Sequence, residues 1–265
     1  MKKNIFLVLL LLLIVCSASI FYFSILKYQN ENPRIEWEQS SDTVIISYER
    51  RYDTDYNYIP AFRVWGDGYI VWVEYTSEGK RKILEGYLSQ NELMVLLEKF
   101  GETDFFKYCY KNQSYALDYI SINFLKKSCS SLIDENGTVN PNYEAISDLV
   151  DLLASGAGVE GKEYTPTMGY LSIVRYEKTE YYQNQPTIQA QFIWPTEEFG
   201  YTIDDIPTNN PDVREKEIVG DELLFIWDIV NSSMPFVESN GKVYWITLSI
   251  PKISTYDFTL SYNTP

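Results

Sequence analysis

The stretch GDELLFIWDIV, Gly220 to Val230, repeats the pattern of SQNELMVLLEKF, Ser89 to Phe100, and this likeness decides how the chain is built. In the earlier copy Ser89 and Glu92 have the S-x-x-E spacing of a capping box. Each side chain there satisfies a backbone N–H that a helix start leaves free. Leu88 and Leu93 flank that cap at the staple positions, and Leu93, Leu96, Leu97 and Phe100 mark one helical face. Leu223, Ile226, Trp227 and Val230 mark the same face 130 residues on, with Asp221 as the expected N-cap.

The flanks extend the likeness. Upstream, VIISYERRYDTDYNYIPAFRVWGDGYIVWV parallels LSIVRYEKTEYYQNQPTIQAQFIWPTEEFGYTI. Both run as strand, Tyr- and acid-rich loop, Pro (Pro60, Pro186), strand ending in Trp (Trp65, Trp194), then Gly-Tyr (Gly68-Tyr69, Gly200-Tyr201). Downstream, Ile120, Ile122, Phe124 and Lys126 fall on Ile246, Leu248, Ile250 and Lys252 at a constant offset of 126, with the period of two that marks a strand with one buried face. Asp67-Gly68 predicts a tight two-residue hairpin turn, and Ser77–Lys80 the next turn. Asn140 is expected to cap a further helix with Pro141 at its first position and Ile146, Leu149, Val150 and Leu153 on its inner face.

The predicted fold is therefore α+β: two tandem repeated modules, each an antiparallel β-meander with a helix packed on one face, preceded by an N-terminal transmembrane helix. Residues 1–4 form a cytoplasmic N-terminus, 5–26 a signal anchor and 27–42 a polar stalk. The first module takes 43–155, a linker 156–166 and the second module 167–265. The anchor is read from Lys2 and Lys3 followed by 22 uncharged residues, Ile5 to Leu26, enough to cross a hydrocarbon core of about 30 Å. The Lys pair stays inside, and the rest of the chain lies outside the cell membrane. Cleavage after Ala18, or lipidation at Cys16 (which has Val15 before it), are the alternatives, and they give a secreted protein or a lipoprotein. Export makes Cys109 and Cys129 a candidate disulfide, with two free thiols as the alternative.

Composition narrows the chemistry. The formal net charge of −15 leaves no basic stripe for phosphates, so nucleic acid is not an expected partner. The chain has no His, which removes Ser-His-Asp and Cys-His catalysis and most catalytic zinc sites. No P-loop, nucleophile elbow or dinucleotide turn is present, so no cofactor is expected. DTDYN begins like a calcium loop, but Tyr58 stands where the turn needs Gly and Val64 where it needs Glu. Asp204-Asp205 reads as a solvated turn before a loose cation site.

The paired loops hold the candidate binding residues: Tyr52, Asp53, Asp55, Tyr56 and Tyr58 in the first, Tyr181 and Tyr182 in the second. Tyr brings large contact area at small entropic cost, and acids and amides supply adaptable hydrogen bonds. Tyrosines packed on one another in a long hairpin are the plainer alternative.

The order YERR…FRVWGDG…GYLSQNELMVLLEKFGETDFF resembles a group of small bacterial exported proteins and, faintly, the emfourin-type protease inhibitors. The resemblance spans roughly 43–155 and implies a protease as partner. Those inhibitors have a Gly-Gly pair in the first loop where this chain has Arg51-Tyr52, and no functional residue carries over. The functional expectation is a membrane-anchored extracytoplasmic binding protein without catalytic activity, acting on an envelope protein or protease. A carboxylate-dependent envelope hydrolase and a purely structural extracytoplasmic domain are the competing classes.

Overall fold

In a computed structural model the described residues are 35–50, 59–103, 105, 118–124, 127–130, 141–176, 189–210, 213–232 and 235–254. They form an α+β protein with two sheets and, among these residues, four α-helices. Among them no helix is long and apolar enough to cross a membrane, and the expected anchor, 5–26, lies outside them.

The first sheet begins with the meander expected from its turns: β1 (Val44–Arg50), β2 (Phe62–Trp65), β3 (Tyr69–Tyr75) and β4 (Arg81–Tyr87) are consecutive neighbours. The β2–β3 turn is not the two-residue type. Gly68 alone takes a left-handed φ, 91°, and its N–H closes the turn onto Trp65 O, while the Asp67 carboxylate accepts from Tyr69 N. Helix α1 (Gln90–Glu102) follows with both halves of the Ser89/Glu92 capping box made and Leu93, Leu96, Leu97 and Phe100 buried. The chain then returns as β5 (Asp118–Phe124) beside β1, with Ile122 opposite Ile46, and continues into β6 (Lys127–Ser130). Helix α2 (Tyr143–Ala154) buries the four expected residues, but it starts later than Asn140-Pro141 predicts. Asn142 stands at the N-cap, and its side-chain amide donates to Thr103 O instead of closing its own helix.

Residues 156–166, expected as a linker, are built into this sheet. A 3-10 turn at Gly156–Gly158 leads to β7 (Lys162–Glu163), which pairs with β4 as the edge strand. The described part of the expected stalk is also docked. Trp37 Nε1 donates to Gly66 O at 3.1 Å, and a Cβ on Gly66 would stand 1.8 Å from Glu38 O.

The second sheet departs from the predicted meander. Its order is β10 (Thr208–Asn210), β11 (Val213–Val219), β8 (Met168–Arg175), β13 (Lys242–Ser249), β12 (Phe236–Ser239) and β9 (Phe192–Ile193). It is the second strand after the helix, β13, that returns beside β8, Leu248 opposite Leu171, with β12 intervening in the chain. The strand ending at Trp194, however, sits at the far edge and runs parallel to β12, where its counterpart β2 lies directly beside β1. Strand β9 is only two residues long and is followed at once by the short helix α3 (Thr196–Phe199), so it cannot form the long hairpin that fixes β2 against β1. Helix α4 (Gly220–Val230) starts one residue before Asp221, with Val219 at the N-cap and no side-chain cap. Its buried residues are Leu223, Ile226, Ile229 and Val230, while Trp227 is turned partly out against the Tyr164 ring.

One core joins the two sheets. Trp65, Val71, Val73 and Ile83 of the first pack into the same apolar cluster as Leu171, Ile173, Ile246 and Leu248 of the second, with α4 against β8, β11 and β13. Arg81 N donates to Asn231 O at the end of α4, and the Arg63 guanidinium holds the carbonyls of Lys252 and Ser254. On its other face the first sheet presents Trp72 to the α2 layer so closely that a Cβ on Gly161 would lie 2.4 Å from two atoms of the indole. Gly161→Ala should therefore overpack this layer and cost about 1–3 kcal/mol, measured as a drop in chemical-denaturation midpoint. Gly161→Ala combined with Trp72→Phe should recover part of the loss; a single variant as stable as the parent would refute the contact.

Candidate functional site

The sequence-predicted binding residues Tyr52, Asp53, Asp55, Tyr56, Tyr58, Tyr181 and Tyr182 lie outside the described residues, as does Cys109; Cys129 falls on β6, with its side chain outside them. Where the first loop rejoins the described chain, Ile59 is buried and Arg81 Nη2 donates to its carbonyl at 3.0 Å.

Asp204 has its role settled by neighbours distant in sequence. Lys242 Nζ stands 2.6 Å from Oδ2 and Arg214 Nη2 3.2 Å from Oδ1, while the Tyr244 hydroxyl donates to Oδ1 at 2.9 Å. The Lys242 hydrogen bond is the leading cause that holds the Asp204 carboxyl below its ordinary value, and the bond from Tyr244 and the charges of Lys242 and Arg214 add to it. Burial and the same hydrogen bond push Tyr244 up to about 12. Asp205 bonds the N–H and hydroxyl of Thr202, closing a local capping box that also holds its carboxyl below the usual range. Two protein cations already fill the position that a bound metal would take at Asp204, and the described residues hold no group of three or more metal-ligating side chains.

The repeated Trp…Gly-Tyr pattern produces a pair of matching constellations. Tyr69 packs against Trp65 and donates its hydroxyl to Glu85, which Lys162 reaches at 3.0 Å. Tyr201 packs against Trp194 and donates to Glu222, which Lys216 reaches at 2.8 Å. Burial first, then the bonded carboxylate, raises both tyrosines well above their ordinary value, so both stay protonated donors. Tyr164, near Glu85, is raised by burial to about 12. Glu222 aligns with Glu92 in the sequence repeat yet does different work: Glu92 closes a helix cap, and Glu222 closes this network. These groups hold one another, which makes them braces of the core.

An open groove lies on the opposite layer. Along α1 and from two residues before it, Leu88, Asn91, Glu92, Val95, Leu96 and Lys99 recur at helical spacing, and they face Leu152 of α2 and Ala157 across this groove of about 290 Å³. Leu88 and Leu96 form a buried floor, whereas Val95 and Leu152 are 47% and 39% exposed. Ala157 takes φ 54° between Gly156 at 80° and Gly158 at 81°. A left-handed L-residue costs roughly 1–2 kcal/mol, so the chain bears strain at the one residue of this turn whose methyl can line the groove. The groove was not visible in the sequence, because it arises from the packing of α1 against α2; the exposed apolar residues Val95 and Leu152 were its only local signal.

Because the folded pKa of Asp204 is depressed, its stabilisation is present above the ordinary value of 3.8 and is lost as pH falls through the lower folded value. Asp204→Asn should thus be less stable than the parent at neutral pH, with the gap closing below about pH 4, followed by denaturation midpoints from about pH 2.5 to about pH 7. A gap independent of pH would show that the Lys242–Asp204–Arg214 network does not stabilise through charge.

No family model, curated protein or solved structure matches this chain.

Proposed function

We propose that this chain is a membrane-anchored extracytoplasmic binding protein that works by contact and catalyses no reaction. The observation that carries the reading is the α1–α2 groove, lined mostly by apolar residues, among them exposed Val95 and Leu152 and the strained Ala157. Exposed apolar contact area of this kind is what an interface core requires. The uncharged run Ile5–Leu26 behind Lys2 and Lys3 supports the anchor, and the Tyr loops around Tyr56 and Tyr181 supply a second contact surface. In this reading the two halves are tandem α+β copies, and the partner is an envelope protein, with a protease favoured by the resemblance of residues 43–155 to exported inhibitors.

A carboxylate hydrolase would need a general acid with a raised pKa beside a second acid. Glu92, Asp204 and Asp205 are each held below their ordinary value, the opposite of what such an acid needs.

Two measurements test the proposal. Full-length protein should stay in the membrane fraction through salt and carbonate, with residues 43–265 open to external protease; a soluble species beginning near Ser19 would remove the anchor. A photocrosslinking amino acid placed in living cells at Val95, Leu152 or Tyr56 should yield a discrete heteromeric adduct. With the crosslinker at position 56, replacing Tyr52 and Tyr58 by Ser should suppress that adduct and leave the thermal midpoint within about 2 °C, since surface changes usually cost under ~0.5 kcal/mol. Absence of adducts from all three positions would overturn the binding reading.

A further inference from the structure

We infer that the α1–α2 groove receives a short amphipathic helix of a partner protein, apolar on one face and flanked by Lys or Arg. The inference rests on the binding reading above and names the occupant of that site. The groove runs along α1 from Leu88 to Lys99, about 16 Å at 1.5 Å per residue, which accommodates about three turns of a helix laid against it. Its lining is mostly apolar, with Asn91, Glu92 and Lys99 as the polar members, and the exposed positions of the two helices are acidic: Glu92, Glu98, Glu102, Glu144, Asp148 and Asp151, against Lys99 as their single base. That excess of negative charge complements a cationic partner and steers its approach. It opposes a second copy of this chain, which would set acid against acid, and it repels an anionic lipid surface.

The test uses the full-length chain in nanodiscs of zwitterionic lipid, with empty nanodiscs subtracted. The probes are a labelled Leu/Lys helical peptide with Leu at i, i+3, i+4 spacing and a Leu/Glu peptide with the same leucines. The Leu/Lys peptide should bind at physiological salt and protect the amides of 88–99 and 145–157 from hydrogen exchange, and the Leu/Glu peptide should not bind. Val95→Ser with Leu152→Ser, two exposed positions, should weaken binding about tenfold or more while circular dichroism stays unchanged. Asp148→Asn with Asp151→Asn should weaken it by a smaller factor and flatten its salt dependence. Ile193→Ser with Leu224→Ser, exposed positions away from the groove, serves as the control that keeps full affinity. Equal binding by the Val95→Ser, Leu152→Ser protein, equal binding of the Leu/Glu peptide, or concentration-dependent self-association lost in that variant would each overturn the inference. Groove crosslinks in cells together with no competition by the Leu/Lys peptide would sink the cationic occupant and leave the binding reading standing; absence of crosslinks would sink the binding reading itself.

Discussion

Burial of both faces of the first sheet is the constraint on which the rest of the structure depends. An antiparallel sheet with one wet face reads as strict alternation, whereas one covered on both sides reads as an unbroken apolar run. Strand β3 is of the second kind: Ile70, Val71, Trp72 and Val73 are all buried, alternately against the helical layer and against the second sheet. Covering both faces forces the neighbours into place. The indole of Trp72 leaves no room for a Cβ at Gly156 or Gly161, so the segment between the halves must run close along the sheet, where it adds β7. On the other side, Val71, Val73 and Ile83 require the second half as their cover, and Arg63 and Arg81 fasten it through backbone carbonyls.

How much of this was legible depends on whether the signal was local. The α1 cap was readable because Ser89 and Glu92 satisfy each other within one turn, and the inner faces of α1 and α2 followed from their periodicity. The start of α4 was not: the helix opens at Gly220 with Val219 at the N-cap, so Asp221 falls inside the first turn instead of standing at the cap. Strand order in the second sheet was also hidden, because period-two patterning gives the face of a strand and not its neighbour. Nothing in FIW says that two of its residues pair parallel with β12, 45 positions later. Asp204 shows the same limit for a site. Next to Asp205 it invites a metal, and only the fold brings Lys242 and Tyr244, 38 and 40 residues away, onto its carboxylate.

The paired Trp–Tyr–Glu–Lys constellations show what a repeated sequence pattern preserves. Trp65 and Trp194 occupy different places in their sheets, and Glu85 comes from a strand where Glu222 comes from a helix. What recurs is a physical solution: a half-buried tyrosine must spend its hydroxyl on an acceptor, and a partly desolvated carboxylate must find a cation. Any backbone that delivers an acid and a lysine to the Trp-packed tyrosine satisfies both needs. The recurrence thus reflects the demand made by the Tyr in each Gly-Tyr pair, not conservation of sheet position.

The same demand sorts the charges of the whole molecule. With 37 acidic residues against 22 basic ones, cations are the scarce species. Arg214, Lys216, Lys242 and Lys162 are committed to Asp204, Glu222 and Glu85, where partly desolvated carboxylates draw them most strongly. The helical layer, whose carboxylates are exposed to solvent, keeps only Lys99 among its acids. The exposed positions of α1 and α2 thus carry six acids and one base. The strain at Ala157 is borne beside these acidic helices, where its methyl lines the groove.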